Sequence, residues 1–296
     1  MDTSRLYGTG VALVTPFTEK HEIDYEALGR LVEQVIAGGV NYLVVMGTTG
    51  EASTLSVAEK QAVLDFVKKQ NAGRLSIVYG IGGNSTMDVV ERLNEQDYNG
   101  IDAILSVAPY YNKPTQAGYV YHYEKVADAS KRPVIMYNVP GRTAGNMEAT
   151  TTLMLAQHPN IIAMKEASGD LVQCMKIAAQ TSDEFLLISG DDMLTLPMIA
   201  TGAKGVISVV ANLLPQQFST AIQLGLQNRF SEASKIQFEL LEVNDFLFKE
   251  GNPAGLKCAL KHLGQMEDHL RPPLLPVSDP LEATIAQWAE RFLVTH

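Results

Sequence analysis

A chain of 296 residues is long for one ordinary domain, yet a (β/α)8 barrel of about 250 residues with additions fits within it. Its 46% hydrophobic and 19% charged residues are those of a protein folded throughout, with no low-complexity tract or charge block. The net charge of -10 speaks against nucleic acid or an anionic membrane as the main partner, while a small anionic substrate stays open because a site needs only local cations.

The opening MDTSRLYGTGVALVTPF lacks a basic segment followed by a long apolar core, and no run of about 18 apolar residues occurs, so a soluble cytoplasmic protein is expected. Cys174 and Cys258 lie far apart with no CxxC spacing and read as ordinary buried thiols. His21, His122, His158, His262, His269 and His296 show no HExxH or HxH spacing, so neither a metal nor another cofactor is expected.

Short apolar runs alternate with amphipathic stretches, the pattern of a parallel sheet with crossover helices. The strands are predicted at Val11 to Val14, Tyr42 to Met46, Ser76 to Tyr79, Ala103 to Val107, Val134 to Tyr137, Ile161 to Met164, Phe185 to Ser189 and Val206 to Val209. Helical spacing occupies Tyr25 to Ala37, Val57 to Lys69, Thr86 to Glu95, Thr115 to Ala129, Met147 to Ala156, Leu171 to Gln180, Met193 to Thr201 and Pro215 to Leu226. Eight such units predict an α/β fold closed as a TIM barrel over residues 1–226. Beyond Leu226 the strand signal stops, and Phe230 to Phe248, Pro253 to Leu263 and Pro280 to Phe292 predict a helical extension over 227–296. Trp288 shares helical spacing with Ile285 and Phe292 and is assigned to packing.

In a closed barrel the loops after the strands form the active face. Lys165, in IIAMKEASGD, falls where the sixth strand should end. An amine among apolar neighbours loses proton affinity, and a neutral amine attacks carbonyls. The alternative is a lysine that snorkels to water or pairs with Glu166.

After the second strand comes Gly47-Thr48-Thr49-Gly50-Glu51, either an anion cradle of amides and hydroxyls or a capping box. After the fourth, Pro109-Tyr110-Tyr111-Asn112 carries two phenols and could form an interface. After the fifth, Tyr137-Asn138-Val139-Pro140-Gly141-Arg142 sets a phenol at the strand end and a guanidinium that could clamp a carboxylate or form a surface salt bridge. Asp191 and Asp192 beside Gly190 oppose phosphate, and Gly80-Ile81-Gly82-Gly83 reads as a turn, not as a dinucleotide fingerprint. Together these groups describe an imine-forming aldolase acting on an α-keto acid.

GTTGE at 47–51, YNVPGRT at 137–143 and KEASGD at 165–170 resemble, in order and in place, the dihydrodipicolinate synthase and N-acetylneuraminate lyase family of pyruvate-dependent barrels. The resemblance covers nearly the whole chain. It implies that Lys165 forms the pyruvate imine, Thr49 holds the pyruvate carboxylate, and Thr48, Tyr137 and Tyr111 relay protons, with Tyr111 reaching the site of a neighbouring subunit. It further implies that Arg142 receives the carboxylate of L-aspartate 4-semialdehyde, and that Gly190 and Ile207 line the pocket. Arg142 and Tyr111 resemble the synthase branch of lysine and diaminopimelate biosynthesis. A lyase of keto sugar acids would replace Arg142 by a polar group, and a non-enzymatic keto-acid sensor would need the lysine without the relay. A homotetramer built as two tight dimers is implied.

A regulatory cleft for lysine in the family matches Ala52, Ser53, Val57, Lys60, Asn84, Asp88 and Tyr110. Val57 and Lys60 depart from its pattern, a cation standing where a histidine or acid is common, so weak or absent inhibition by lysine is expected.

Overall fold

The computed structural model describes residues 3–295, so His296 lies outside them. Parallel strands β1 (Gly8–Ala12), β2 (Tyr42–Val45), β3 (Ser76–Gly80), β4 (Ala103–Val107), β5 (Val134–Asn138), β6 (Ile161–Glu166), β7 (Leu186–Ser189) and β8 (Gly205–Ser208) close in sequence order, β8 pairing with β1. The helices are α1 (Tyr25–Ala37), α2 (Val57–Asn71), α3 (Thr86–Glu95), α4 (Gln116–Ala129), α5 (Pro140–Thr143), α6 (Ala149–Leu155), α7 (Leu171–Ala178), α8 (Thr195–Ala200), α9 (Pro215–Leu226), α10 (Phe230–Glu239), α11 (Leu241–Phe248), α12 (Ala254–His262) and α13 (Asp279–Thr295).

Successive side chains of a strand point to opposite faces, so each strand feeds two cores. Tyr42, Val44, Val78, Leu105, Ile135, Tyr137, Ala163, Ile188 and Ile207 form an inner cluster. Their chain neighbours Leu43, Val45, Ile77, Ile104, Met136, Met164, Leu187 and Val206 pack outward in the larger core shared with the helices. Two residues past Ala163, Lys165 takes the same inward face. Its strand neighbours Met164 and Glu166 point outward, which is how a lone amine comes to be held inside a barrel.

Strand β1 lies earlier than Val11 to Val14. Gly8 and Gly10 look like breakers in sequence, but a β-carbon on Gly10 would clash with the Tyr42 ring, so the glycine is what lets that tyrosine fill the barrel floor. The predicted helix Phe230 to Phe248 is broken at Leu240, whose N–H donates to the Gln237 carbonyl at 3.1 Å, one residue short of an α-helical bond. Before the break Gln237 shares the buried face of α10 with Ala233, its amide donating to the carbonyls of Asp192 (3.3 Å) and Met193 (3.0 Å). Trp288 is buried between Phe246 and Phe292, with ring centres 5.2 Å from each. Among the described residues, no helix is long and apolar enough to cross a membrane.

Candidate active site

Lys165 is 7% exposed and is the register partner of Tyr137 on β5, its Nζ lying 4.1 Å from the centre of the phenol ring. Burial lowers its pKa to about 7, against the pull of Asp192 toward the ammonium form, with Arg142 adding to the depression. Near neutrality a large share of this amine is therefore unprotonated and nucleophilic. Gly190 abuts it, and a β-carbon there would lie 3.0 Å from the Lys165 Cε and 2.7 Å from the Ala167 Cβ. Any larger residue would press on the Lys165 side chain.

Pairing of Lys165 with Glu166 does not occur. Adjacent strand residues face opposite ways. Glu166 is held outside the barrel by Asn138 Nδ2 (3.1 Å to each oxygen), Gln173 Nε2 (3.0 Å) and the Ser168 N–H (2.7 Å). Burial nonetheless raises its pKa.

The GTTGE loop forms a 3-10 turn at Thr48–Gly50 with no side-chain cap, which removes the capping-box alternative there. The capping box lies further on, where Ser56 and Glu59 open α2. Burial is the chief cause that raises the pKa of the Tyr137 phenol, and Arg142 and Thr48 ease it down. Thr49 is buried, and its Oγ1 accepts from Asn252 Nδ2 at 3.0 Å. Arg142, on α5, forms no salt bridge among the described residues. Its Nη2 donates to the Asn252 carbonyl at 3.4 Å.

A cavity of ≈ 540 Å³ opens over the C-terminal ends of β2 to β5, lined by Thr48, Tyr137 and Arg142 at one side. Lys165, Thr49, Gly190 and Ile207 do not line it. Lys165 stands behind the Tyr137 ring, and Ile207 is buried in the inner cluster. The cavity continues to Ala52, Ser53, Lys60, Asn84, Asp88 and Tyr110, with Arg92 beside them. Lys60 is half-buried, and burial followed by Arg92 lowers its pKa. Val57 is outside the lining and 70% exposed. Tyr111 is 87% exposed, with a positive φ of 74°, and does not line the cavity of its own chain.

Two site residues escaped sequence reasoning. Asp192 is buried, and burial lifts its pKa to about 6 although Oδ2 accepts from the Val209 and Val210 amides at 3.0 and 3.1 Å. In sequence it was legible only as an acid unfavourable to phosphate. The other is Asn252, which no motif marks and which reaches the barrel from beyond it. Away from the cavity, Cys258, His262 and Glu282 bring ligand atoms within 4.8 Å of one another, an i,i+4 pair facing α13 that motif spacing did not show. The same glutamate meets the Lys261 ammonium at 3.4 Å.

Residues 5–291 match the model of the dihydrodipicolinate synthetase family. The chain belongs to that family. It is 52% identical over 275 residues to the 4-hydroxy-tetrahydrodipicolinate synthase of Flavobacterium psychrophilum, covering 93% of this chain and 94% of the relative. It is 46% identical over 281 residues to the enzyme of the same name from Cytophaga hutchinsonii, covering 95% of each. The crystal structure of dihydrodipicolinate synthase from Aquifex aeolicus superposes with a TM-score of 0.93 at 39% identity, over 97% of this chain and 98% of that one. Membership of the dihydrodipicolinate synthetase family thus extends through the helices after the barrel as well as the barrel itself.

Proposed function

We propose that this protein is a 4-hydroxy-tetrahydrodipicolinate synthase, condensing pyruvate, held as an imine on Lys165, with L-aspartate 4-semialdehyde. The neutral Lys165 amine adds to the pyruvate ketone, and loss of water leaves a protonated imine. That imine draws the electrons of a methyl C–H bond, so that carbon becomes the nucleophile that attacks the aldehyde. The semialdehyde's amino group then displaces Lys165 from the imine carbon, which closes the ring and frees the enzyme. Thr49 binds the pyruvate carboxylate and Arg142 that of the semialdehyde. Thr48, Tyr137 and Tyr111 move the protons, while Gly190 and Ile207 shape the pocket.

The observation that carries this reading is the buried Lys165 amine, lowered to about 7 and facing Tyr137 inside the barrel. The names of the relatives at 52% and 46% identity support the choice of second substrate, as does a guanidinium at Arg142 where a keto sugar would call for neutral polar groups. Borohydride reduction in the presence of pyruvate tests the reading. A pyruvyl adduct is expected on Lys165, with turnover only when the semialdehyde is added, and an adduct elsewhere would overturn it.

A homotetramer of two tight dimers belongs to the same proposal, supported by the outward-facing Tyr111, which would complete a neighbour's site. So does work in the cytoplasm, supported by the free thiols of Cys174 and Cys258.

A further inference from the structure

Resting on that proposal, we infer that Asn252, a residue of the segment between α11 and α12, is a positioning residue for both carboxylate-binding groups of the barrel.

Asn252 lies in the Gly251-Asn252-Pro253 connection, 203 residues from Thr49 in the chain, yet only 7% of it is exposed. Its side-chain amide donates to Thr49 Oγ1 at 3.0 Å, while its backbone carbonyl accepts from Arg142 Nη2 at 3.4 Å. One residue therefore touches the partner of each substrate carboxylate.

The polarity of the first bond has a consequence. An amide N–H can only donate, so Thr49 Oγ1 must accept, and its own hydroxyl proton is left to point at a substrate carboxylate. A residue offering an acceptor in that place would draw the proton away. Asn252 Oδ1 is buried without a partner among the described residues, which leaves a second polar atom in the region between Thr49 and Arg142.

What seats Asn252 is an ion pair with no exposure. Lys257, on the first turns of α12, meets Glu51 at 2.6 Å, both side chains 0% exposed. The same ammonium donates to the His269 carbonyl at 2.8 Å and lies 4.1 Å from the centre of the Phe17 ring. Glu51 also accepts from the Arg271 amide at 3.1 Å. Glu51 is the last residue of GTTGE, so the segment carrying Asn252 and the loop carrying Thr49 are fastened together at two points. The helical extension is thus fastened to the loop that carries Thr49.

The test is a double-mutant cycle in the full-length enzyme, read as the pyruvate KM and the kcat. Asn252→Leu should raise the pyruvate KM about tenfold while kcat falls less than about threefold, the size expected for one hydrogen bond. Asn252→Asp, which presents only acceptors, should raise it further, and Asn252→Gln should restore part of the loss. Thr49→Val alone should raise the same KM, and adding Asn252→Leu to it should raise it no more. An equal loss from Asn252→Leu with and without the Thr49→Val change, or an unchanged KM in Asn252→Leu, would overturn the inference. If a variant fails to fold, borohydride trapping of pyruvate at rising concentration in Asn252→Gln gives the same comparison. Failure of the parent proposal looks different, because the unsubstituted protein would then form no pyruvyl adduct on Lys165.

Discussion

Lys165 Nζ stands 4.1 Å from the centre of the Tyr137 ring, and the two residues are register partners on adjacent strands. The face of a phenol attracts a cation, but a barrel interior removes the water that a cation needs, and a pKa of about 7 says that desolvation wins. The pair holds an amine near its balance point. The same ring lines the cavity, so the proposed nucleophile lies against a proposed member of the proton relay.

The rate of pyruvate trapping should follow the neutral fraction of Lys165. With a pKa of about 7 that fraction grows from about one tenth at pH 6 to about nine tenths at pH 8. Trapping is therefore expected to rise nearly tenfold as pH increases across this window and then level off. A profile still climbing between pH 9 and 10 would show an amine with its ordinary pKa. Lys165→Arg should give no adduct at any pH, since a guanidinium stays protonated.

Arg142→Ala should leave the pyruvyl adduct intact while raising the KM for the semialdehyde about 10- to 100-fold, the loss expected for a charge-assisted contact to a carboxylate. Trapping kinetics and steady-state assays on one preparation separate the two effects. Equal loss of both would make Arg142 structural, acting through its bond to the Asn252 carbonyl.

How much of this was legible in the sequence depends on the range of each interaction. The strand alternation, the inward face of Lys165 and the motif loops are set by residues within a few positions of one another, and periodicity finds them. The early start of β1 was hidden because Gly8 and Gly10 have low strand preference, and the reason for Gly10 is the Tyr42 ring on the next strand. The break at Leu240 was hidden because its apolar stripe continues across it. Asn252 could not be found by any window, since its partner Thr49 lies at the far end of the chain. A capping box is one of two readings open for Glu51 because Thr48-x-x-Glu51 has that spacing, yet its carboxylate has a buried lysine to satisfy instead.

That buried pair makes a stability prediction. Lys257→Met should destabilise the protein by about 3–5 kcal/mol, because it leaves the Glu51 carboxylate without its buried counter-charge. The double change Lys257→Met with Glu51→Leu should recover much of the loss in urea unfolding. If the single and double variants unfold alike, the contribution of Lys257 lies in packing against Phe17 and not in its charge.

Tyr111 gives a test of assembly. Its phenol is 87% exposed and outside the cavity of its own chain, while the proposed relay needs it at the reacting atoms. Mixing inactive Tyr111→Phe with inactive Lys165→Ala subunits should restore activity, since a mixed dimer assembles one intact site. Continued inactivity after demonstrated subunit exchange would place the phenol's action within its own chain.

Inhibition by L-lysine should be weak or absent. Lys60 lines the cavity instead of turning to solvent, with Arg92 beside it, so cationic side chains face the space where a cationic ligand would lie. Asp88 is the one acid among the described lining residues, and it is exposed, where water screens its attraction. Two like charges about 4 Å apart cost on the order of 4 kcal/mol at an effective dielectric near 20, and a third of that is a roughly tenfold loss of affinity. Steady-state assays with millimolar L-lysine measure this directly. Lys60→Glu should introduce sensitivity, because it reverses the charge at that position. Strong inhibition of the unsubstituted enzyme, relieved by Tyr110→Ala, would show that Lys60 does not govern the cleft.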